Sequence, residues 1–282
     1  MTVTLLKEKF LTDLKDLYPA EEIMNFFYLL CEAYLDKNRL DLALEPQLEP
    51  THEVLSEFFS ALVRLQEECP IQYILGKTEF MDTHFEVDEN VLIPRPETEE
   101  LIQWILDSYP KDAALRILDI GTGSGCIPVV LAKHLTISNI EGMDLSGKAL
   151  KIARKNARNN KVRVHFFQAD ILNISRLHDS YDVIVSNPPY VRESEKLSMR
   201  NNVLKYEPDL ALFVSDGDPL IFYRRIAILG KSSLKTGGSL FFEINQYLAR
   251  DLLQLLENEG YANLQVKKDI YGADRMIRAV KK

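Results

Sequence analysis

"LRILDIGTGSGC", Leu115–Cys126, is the stretch on which the fold of this 282-residue chain turns. "LRILDI" is largely apolar, the composition of a buried strand. Gly121, Gly123 and Gly125 follow at once, and the apolar residues of 126–135 then predict a helix. Glycine turns sharply and lets the backbone come close to a ligand. The first turn of a helix carries N–H groups with no intrahelical partner. A strand that passes into a helix through three glycines is therefore a candidate ligand cradle.

The alternation continues outward. "NIEGMD" (139–144) reads as a second strand and "SGKALKIARKNARNN" (146–160) as a helix. "VRVHFF" (162–167) and "YDVIVS" (181–186) read as third and fourth strands. A helix near 218–230, strand "SLFFEI" (239–244), a helix over 248–259 and strands near 263–268 and 275–281 complete the pattern. Strand alternating with helix over 97–282 predicts a doubly wound α/β domain with a mostly parallel sheet. Residues 1–70 are different. Apolar residues recur there at three- and four-residue steps, and "PAEE" (19–22) and "PTHE" (50–53) are helix-start signals, with Thr51 a plausible N-cap. A small bundle of four or five helices is expected. Between the two, residues 71–96 mix β-branched, aromatic and turn residues, which predicts a β-hairpin linker.

Composition narrows the class. Residues 1–70 hold six Lys/Arg and fourteen Asp/Glu, and the remaining 212 hold twenty-eight of each, so the N-terminal segment carries the whole net charge of −8. Such a segment repels nucleic acid and suits a basic protein partner; a merely solubilising surface would have the same composition. The N-terminus has no apolar signal region, and no apolar run approaches a membrane span. Three scattered cysteines suggest reduced thiols in the cytoplasm, and five histidines without ligand spacing suggest no metal.

The glycine spacing is G-x-G-x-G, so the G-x-G-x-x-G dinucleotide fingerprint is not met. Asp144 ends the second strand, 23 residues after Gly121, where a carboxylate can accept hydrogen bonds from both hydroxyls of a ribose. Asp170, after the third strand, is placed to meet an adenine. Either acid could instead cap a helix or a turn. A dinucleotide needs its pyrophosphate over the helix N-terminus. S-adenosylmethionine has no phosphate, but its amino-acid part needs glycine room and its ribose an acid, and it is the cofactor this pattern fits.

"SNPPYVR" (186–192) stands where the fourth strand ends. Pro188 and Pro189 have no N–H and a fixed φ, so they stop the ladder and stiffen the chain. In a doubly wound sheet the first and fourth strands are neighbours where strand order reverses, and ligands bind outside their carboxyl ends. Gly121–Gly125 and Asn187–Tyr190 should therefore face one crevice. An amide or aromatic amine is a poor nucleophile because its lone pair is delocalised. The side-chain oxygen of Asn187 and the carbonyl of Pro188 can accept its two N–H groups and hold the nitrogen in place, and the prolines fix both acceptors in advance. Tyr190 offers a flat face to a planar substrate group.

Seven stretches, "PIQYILGKTEF", "VLIPRPETEEL", "LDIGTGSG", "SNPPY", "YEPDLAL", "FYRRI" and "RMIRAV", occur in this order from about residue 70 to the C-terminus. In them the chain resembles the bacterial HemK/PrmC family of release factor glutamine methyltransferases. The resemblance implies a Rossmann-like class I methyltransferase fold and methyl transfer from S-adenosylmethionine. The acceptor would be the side-chain nitrogen of the glutamine in the Gly-Gly-Gln motif of class I peptide chain release factors. It implies that Gly121, Thr122, Gly123, Ser124, Gly125, Asp144, Asp170, Ile171 and Asn187 bind the cofactor. Asn187, Pro188, Pro189 and Tyr190 would hold the glutamine, with Asn187, Pro188 and Tyr190 the catalytic group. Arg95 and Glu97 of the Arg95–Glu99 stretch would lie beside the substrate, although Pro96 and the acids after it also suit a helix start. A cytoplasmic monomer without direct nucleic-acid or membrane contact is expected. The fifth strand runs into "FFEINQY", where many relatives have glycine after Glu-Ile, so the role of Asn245 is open. Three alternatives differ in class. A nucleic-acid amino-methyltransferase would carry a basic face, a non-enzymatic module would not bind the cofactor, and a nicotinamide oxidoreductase needs the other glycine spacing.

Overall fold

The computed structural model describes residues 1–282. Five helices come first: α1 (Val3–Leu14), α2 (Ala20–Leu35), α3 (Arg39–Leu44), α4 (His52–Gln66) and α5 (Ile71–Leu75). A hairpin of β1 (Lys77–Phe80) and β2 (Thr83–Glu86) leads to α6 (Pro96–Ser108). Then come β3 (Arg116–Ile120), α7 (Cys126–His134), β4 (Asn139–Asp144), α8 (Gly147–Asn159), β5 (His165–Gln168) and β6 (Tyr181–Ser186). A short strand β7 (Val191–Arg192), helices α9 (Asn201–Tyr206) and α10 (Asp209–Leu212) and strand β8 (Phe213–Val214) follow. The chain closes with α11 (Ile221–Ser233), β9 (Leu234–Glu243), α12 (Ala249–Asn258), β10 (Tyr261–Lys268) and β11 (Asp274–Lys281). No helix is long and apolar enough to cross a membrane.

Contacts divide the chain into two units. One holds residues 1–76 and 200–206, the other 77–199 and 207–282. In the first, Phe10, Phe27 and Phe58 are fully buried and meet at ring separations of 5.5–6.2 Å. The Thr51 hydroxyl accepts the Val54 N–H and starts α4, as its sequence position predicts. Helix α9 joins this unit through polar contacts on one carbonyl: Lys205 Nζ and the Tyr206 hydroxyl both donate to Glu67 O, at 3.1 and 3.0 Å.

The second unit is built on a seven-stranded sheet of order β10-β11-β9-β6-β3-β4-β5. The five strands from β9 to β5 are parallel, and β11 and β10 add antiparallel at one edge. Its faces sort by alternation. Ile184 of β6, Leu118 of β3 and Phe242 of β9 turn to a core closed by α11 and α12. Val183, Val185, Ile117 and Phe241 turn to the opposite core, closed by α6, α7 and α8. This is the mostly parallel, doubly wound sheet that the alternation predicts, with β3 and β6 neighbours.

Two local expectations need correction. Residues 71–75 form a helix, not the start of a hairpin; Pro70 opens it and Gly76 closes it in the left-handed region at φ 68°. The third strand begins at His165 and not at Val162, because Lys161 has positive φ and the ladder to β4 starts only at the Glu141–His165 pair. Residues 201–206 and 209–212 are short helices that hydrophobic periodicity is too brief to reveal. The β1–β2 hairpin packs on α8: Asn156 Oδ1 accepts the Glu86 N–H at 2.7 Å, and Asn156 Nδ2 donates to Glu86 O and Ser124 O.

Candidate functional site

The register of the parallel strands assembles the site. Ile120 of β3 pairs with Ser186 of β6, and the Ser186 hydroxyl donates to the Ile120 carbonyl at 2.6 Å. Gly121 and Asn187, the next residues on each strand, therefore leave the sheet side by side. Ser186 also pairs with Phe242 of β9, which brings Glu243 abreast of Asn187. On the other side, Ile120 pairs with Met143 of β4, whose carbonyl accepts the N–H groups of both Gly121 and Thr122 at 2.9 Å.

Gly121, Gly123, Asp144, Asp170, Ile171, Asn187, Pro188 and Pro189 line one cavity of about 420 Å³, within the ordinary range for a small-molecule site. Gly121, Gly123 and Gly125 all have positive φ. A Cβ on Gly121 or Gly123 would meet only open space, whereas one on Gly125 would lie 3.0 Å from the Ala153 Cβ of α8. The first two glycines thus leave room above the loop, and the third lets α7 pack on α8. Asp144 holds the loop: Oδ2 accepts the Gly123 N–H and Oδ1 the Ser146 N–H, both at 2.8 Å. Each oxygen keeps a lone pair for a ligand hydroxyl. Burial raises the pKa of Asp144 against these backbone bonds. Asp170 also lines the cavity while its oxygens accept from the Leu172 N–H and the Asn173 amide, so here the turn-capping role is realised.

The other expected site residues lie outside the cavity wall. Thr122 and Ser124 are buried beneath the loop, and Gly125 donates its N–H to the Thr122 carbonyl at 2.8 Å. Arg95 pairs with Glu207 at 2.5 Å; Glu207 is 5% exposed and its other oxygen accepts the Ile93 N–H. Tyr190 does not present its hydroxyl to the cavity but donates it to Glu243 Oε1 at 3.0 Å, and its carbonyl accepts from Asn245 Nδ2 at 3.2 Å. Glu97 sits close enough to Glu243 to oppose its ionisation. Asn245 caps the turn after β9 by accepting the Tyr247 N–H, and its amide also donates to Glu195, a second tie that glycine lacks.

Three residues of the site carry no pattern signal. Thr98 Oγ1 donates to Glu243 Oε2 at 2.6 Å and accepts from Asn187 Nδ2 at 3.2 Å. Both Thr98 and Glu243 are buried, at 2% and 1% exposure. The third is Asp119, fully buried one residue before the end of β3. Neither of its carboxylate oxygens, nor the Thr122 hydroxyl, has a hydrogen-bonding partner. Burial pushes the Asp119 carboxyl up to about 7; the nearby Thr122 hydroxyl opposes that rise and Asp144 adds to it. The only trace of Asp119 in the sequence is an acid inside an otherwise apolar strand. A buried, unpartnered carboxylate beneath a glycine loop, with a second at the cavity rim, suits a ligand carrying a cationic group and a ribose. S-adenosylmethionine is such a ligand.

Residues 100–209 match the family described as Methyltransferase small domain, and residues 9–76 the PrmC N-terminal domain. Over 275 residues, 96% of each chain, the sequence is 48% identical to the release factor glutamine methyltransferase of Flavobacterium psychrophilum. The chain belongs to the release factor glutamine methyltransferase family. The enzyme of that name from Bacteroides thetaiotaomicron is 45% identical over 267 residues, covering 94% of this chain and 95% of its own. A crystal structure of a methyltransferase from Pyrococcus furiosus has the same fold at 15% identity, with a TM-score of 0.53 over 82% of this chain and 99% of the other. As a release factor glutamine methyltransferase, the chain is a methyltransferase by its domain as well as by its relatives.

Proposed function

We propose that this enzyme transfers a methyl group from S-adenosylmethionine to the side-chain amide nitrogen of a glutamine in peptide chain release factors, the one in their Gly-Gly-Gln motif. The observation that carries the reading is the strand register that puts Asn187 beside Gly121 at one cavity. When bound, the cofactor supplies an electrophilic methyl group; Gly121, Gly123, Asp144, Asp119 and the Asp170–Ile171 turn are the residues to hold it. The rest is done by the chain. Asn187 Oδ1 and the Pro188 carbonyl have no donor within the protein, and a primary amide brings two N–H groups to match them. Pro188 and Pro189 keep both acceptors in place before the substrate arrives, so little reorganisation is needed. Glu243 is buried, lies outside the cavity wall and is bonded to Thr98 and Tyr190, so its role is to orient these neighbours.

We assign the chemistry to the unit of residues 77–199 and 207–282 and recognition of the protein substrate to the acidic helical unit. The same reading places the enzyme in the cytoplasm, where its three free, buried cysteines stay reduced. The deciding experiment incubates purified release factor with labelled S-adenosylmethionine and maps the modified residue by mass spectrometry. Label on the Gly-Gly-Gln glutamine is expected, and label on plasmid DNA or rRNA alone would replace the reading. Replacing the exposed acids Glu8, Glu32 and Glu57 together by lysine is expected to raise KM for the intact factor severalfold, while kcat/KM for a short Gly-Gly-Gln peptide stays unchanged. Equal loss on both substrates would remove the docking role.

A further inference from the structure

Asn187 must present oxygen, not nitrogen, to a substrate nitrogen that offers only N–H groups. The amide has nearly the same shape either way round, so something must choose. The choice is made behind the cavity. A carboxylate only accepts hydrogen bonds, so Thr98, 2.6 Å from Glu243 Oε2, must spend its one proton there. The Thr98 hydroxyl is then left only with lone pairs toward Asn187, and the group it meets at 3.2 Å must be the Asn187 NH2. Oδ1 is thereby turned to the cavity. The Tyr190 hydroxyl fills the other oxygen of Glu243, and the Tyr223 hydroxyl holds the Glu243 carbonyl at 2.9 Å. Burial raises the Glu243 pKa; the Thr98 and Tyr190 hydroxyls and Arg275, on the neighbouring strand, favour its charged form, and Glu97 opposes it.

We propose that Thr98 and Glu243 are positioning residues that set which way round the Asn187 amide sits, and so whether the site can accept the substrate amide. The parts come from three segments: the first turn of α6, the end of β6 and the end of β9. Glu243 acts as the electrostatic anchor of the relay and Thr98 as the one-proton link that carries its polarity outward. In Glu243→Gln, an NH2 can donate to Thr98. Thr98 can then donate to Asn187 Oδ1, and the amide turns its nitrogen to the substrate.

The inference rests on the proposed methyl transfer, and the test separates the two. Wild type and variants are compared for kcat and KM with release factor and labelled S-adenosylmethionine, and for cofactor Kd and melting temperature. Glu243→Gln and Thr98→Val are each expected to lower kcat roughly 10- to 100-fold, with cofactor Kd within about twofold of wild type. Thr98→Ser keeps the hydroxyl and is expected to retain most of the turnover. On an Asn187→Ala background, Glu243→Gln should remove no more than about twofold further, because there is no amide left to orient. If Glu243→Gln does not fold, the serine–valine pair at 98 decides alone. Full turnover in Glu243→Gln, equal loss in Thr98→Ser and Thr98→Val, or a full additional loss on the Asn187→Ala background would each overturn the relay. A wild-type enzyme inactive on release factor removes the proposed function, and the relay with it.

Discussion

Asn187→Ala is expected to lose turnover by roughly 10²–10³-fold, the effect of deleting one preorganised polar contact to a reacting group. The physical reason is specific to an amide substrate. Its nitrogen lone pair is delocalised, and reaction requires that nitrogen be held in one place and one orientation. In the proposed mechanism two acceptors do this, Asn187 Oδ1 and the Pro188 carbonyl, and alanine removes one. The fold should survive. Asn187 is half-buried, its recorded side-chain bond is the one to Thr98, and Thr98 keeps its short bond to Glu243. Most of the cofactor affinity should also survive, because the loop of Gly121–Gly125 is held by Asp144 and Met143 and not by Asn187. Single-turnover methylation with cofactor Kd from calorimetry makes the comparison; turnover near wild type would show that Asn187 does not hold the acceptor nitrogen.

Asp144→Ala is expected to weaken S-adenosylmethionine binding by about 10²-fold or more. A carboxylate accepting two ribose hydroxyls makes two charge-assisted hydrogen bonds, each about 1.5–3 kcal/mol, and each 1.4 kcal/mol is tenfold in Kd. The same carboxylate fastens the Gly123 and Ser146 N–H groups, so its removal also loosens the cradle. Asparagine does not rescue, since one end of its amide would set an NH2 against a backbone N–H. The pH dependence has a definite sign. Burial raises the Asp144 pKa, so the acceptor form is lost at a higher pH than for an exposed aspartate. Affinity should fall as pH is lowered through that raised value. Calorimetric titration across the acid range would reveal it, and a Kd flat with pH or unchanged in Asp144→Ala would place the ribose elsewhere.

Much of this was legible in residue order because it rests on local periodicity. The strand–glycine–helix passage at 115–135, the acid at the end of the next strand and the proline pair after the fourth strand each act within a few residues of themselves. The boundaries that failed, at 71–75 and 162–164, depend on a single cap or a single ladder pairing, which periodicity does not register. The partner of Tyr190 is also invisible in residue order: its hydroxyl reaches Glu243, 53 residues later.

By itself the sequence determined the doubly wound sheet, the end of it at which the cavity opens, and the roles open to the glycines, Asp144 and Asn187, because each follows from backbone stereochemistry acting on neighbouring residues. Only the tertiary structure decided what stands behind Asn187. Thr98 and Glu243 are 145 residues apart and share no pattern. They meet because the first turn of α6 packs on the end of β9, which the parallel register sets beside the end of β6, and a buried carboxylate there takes the donors that packing delivers.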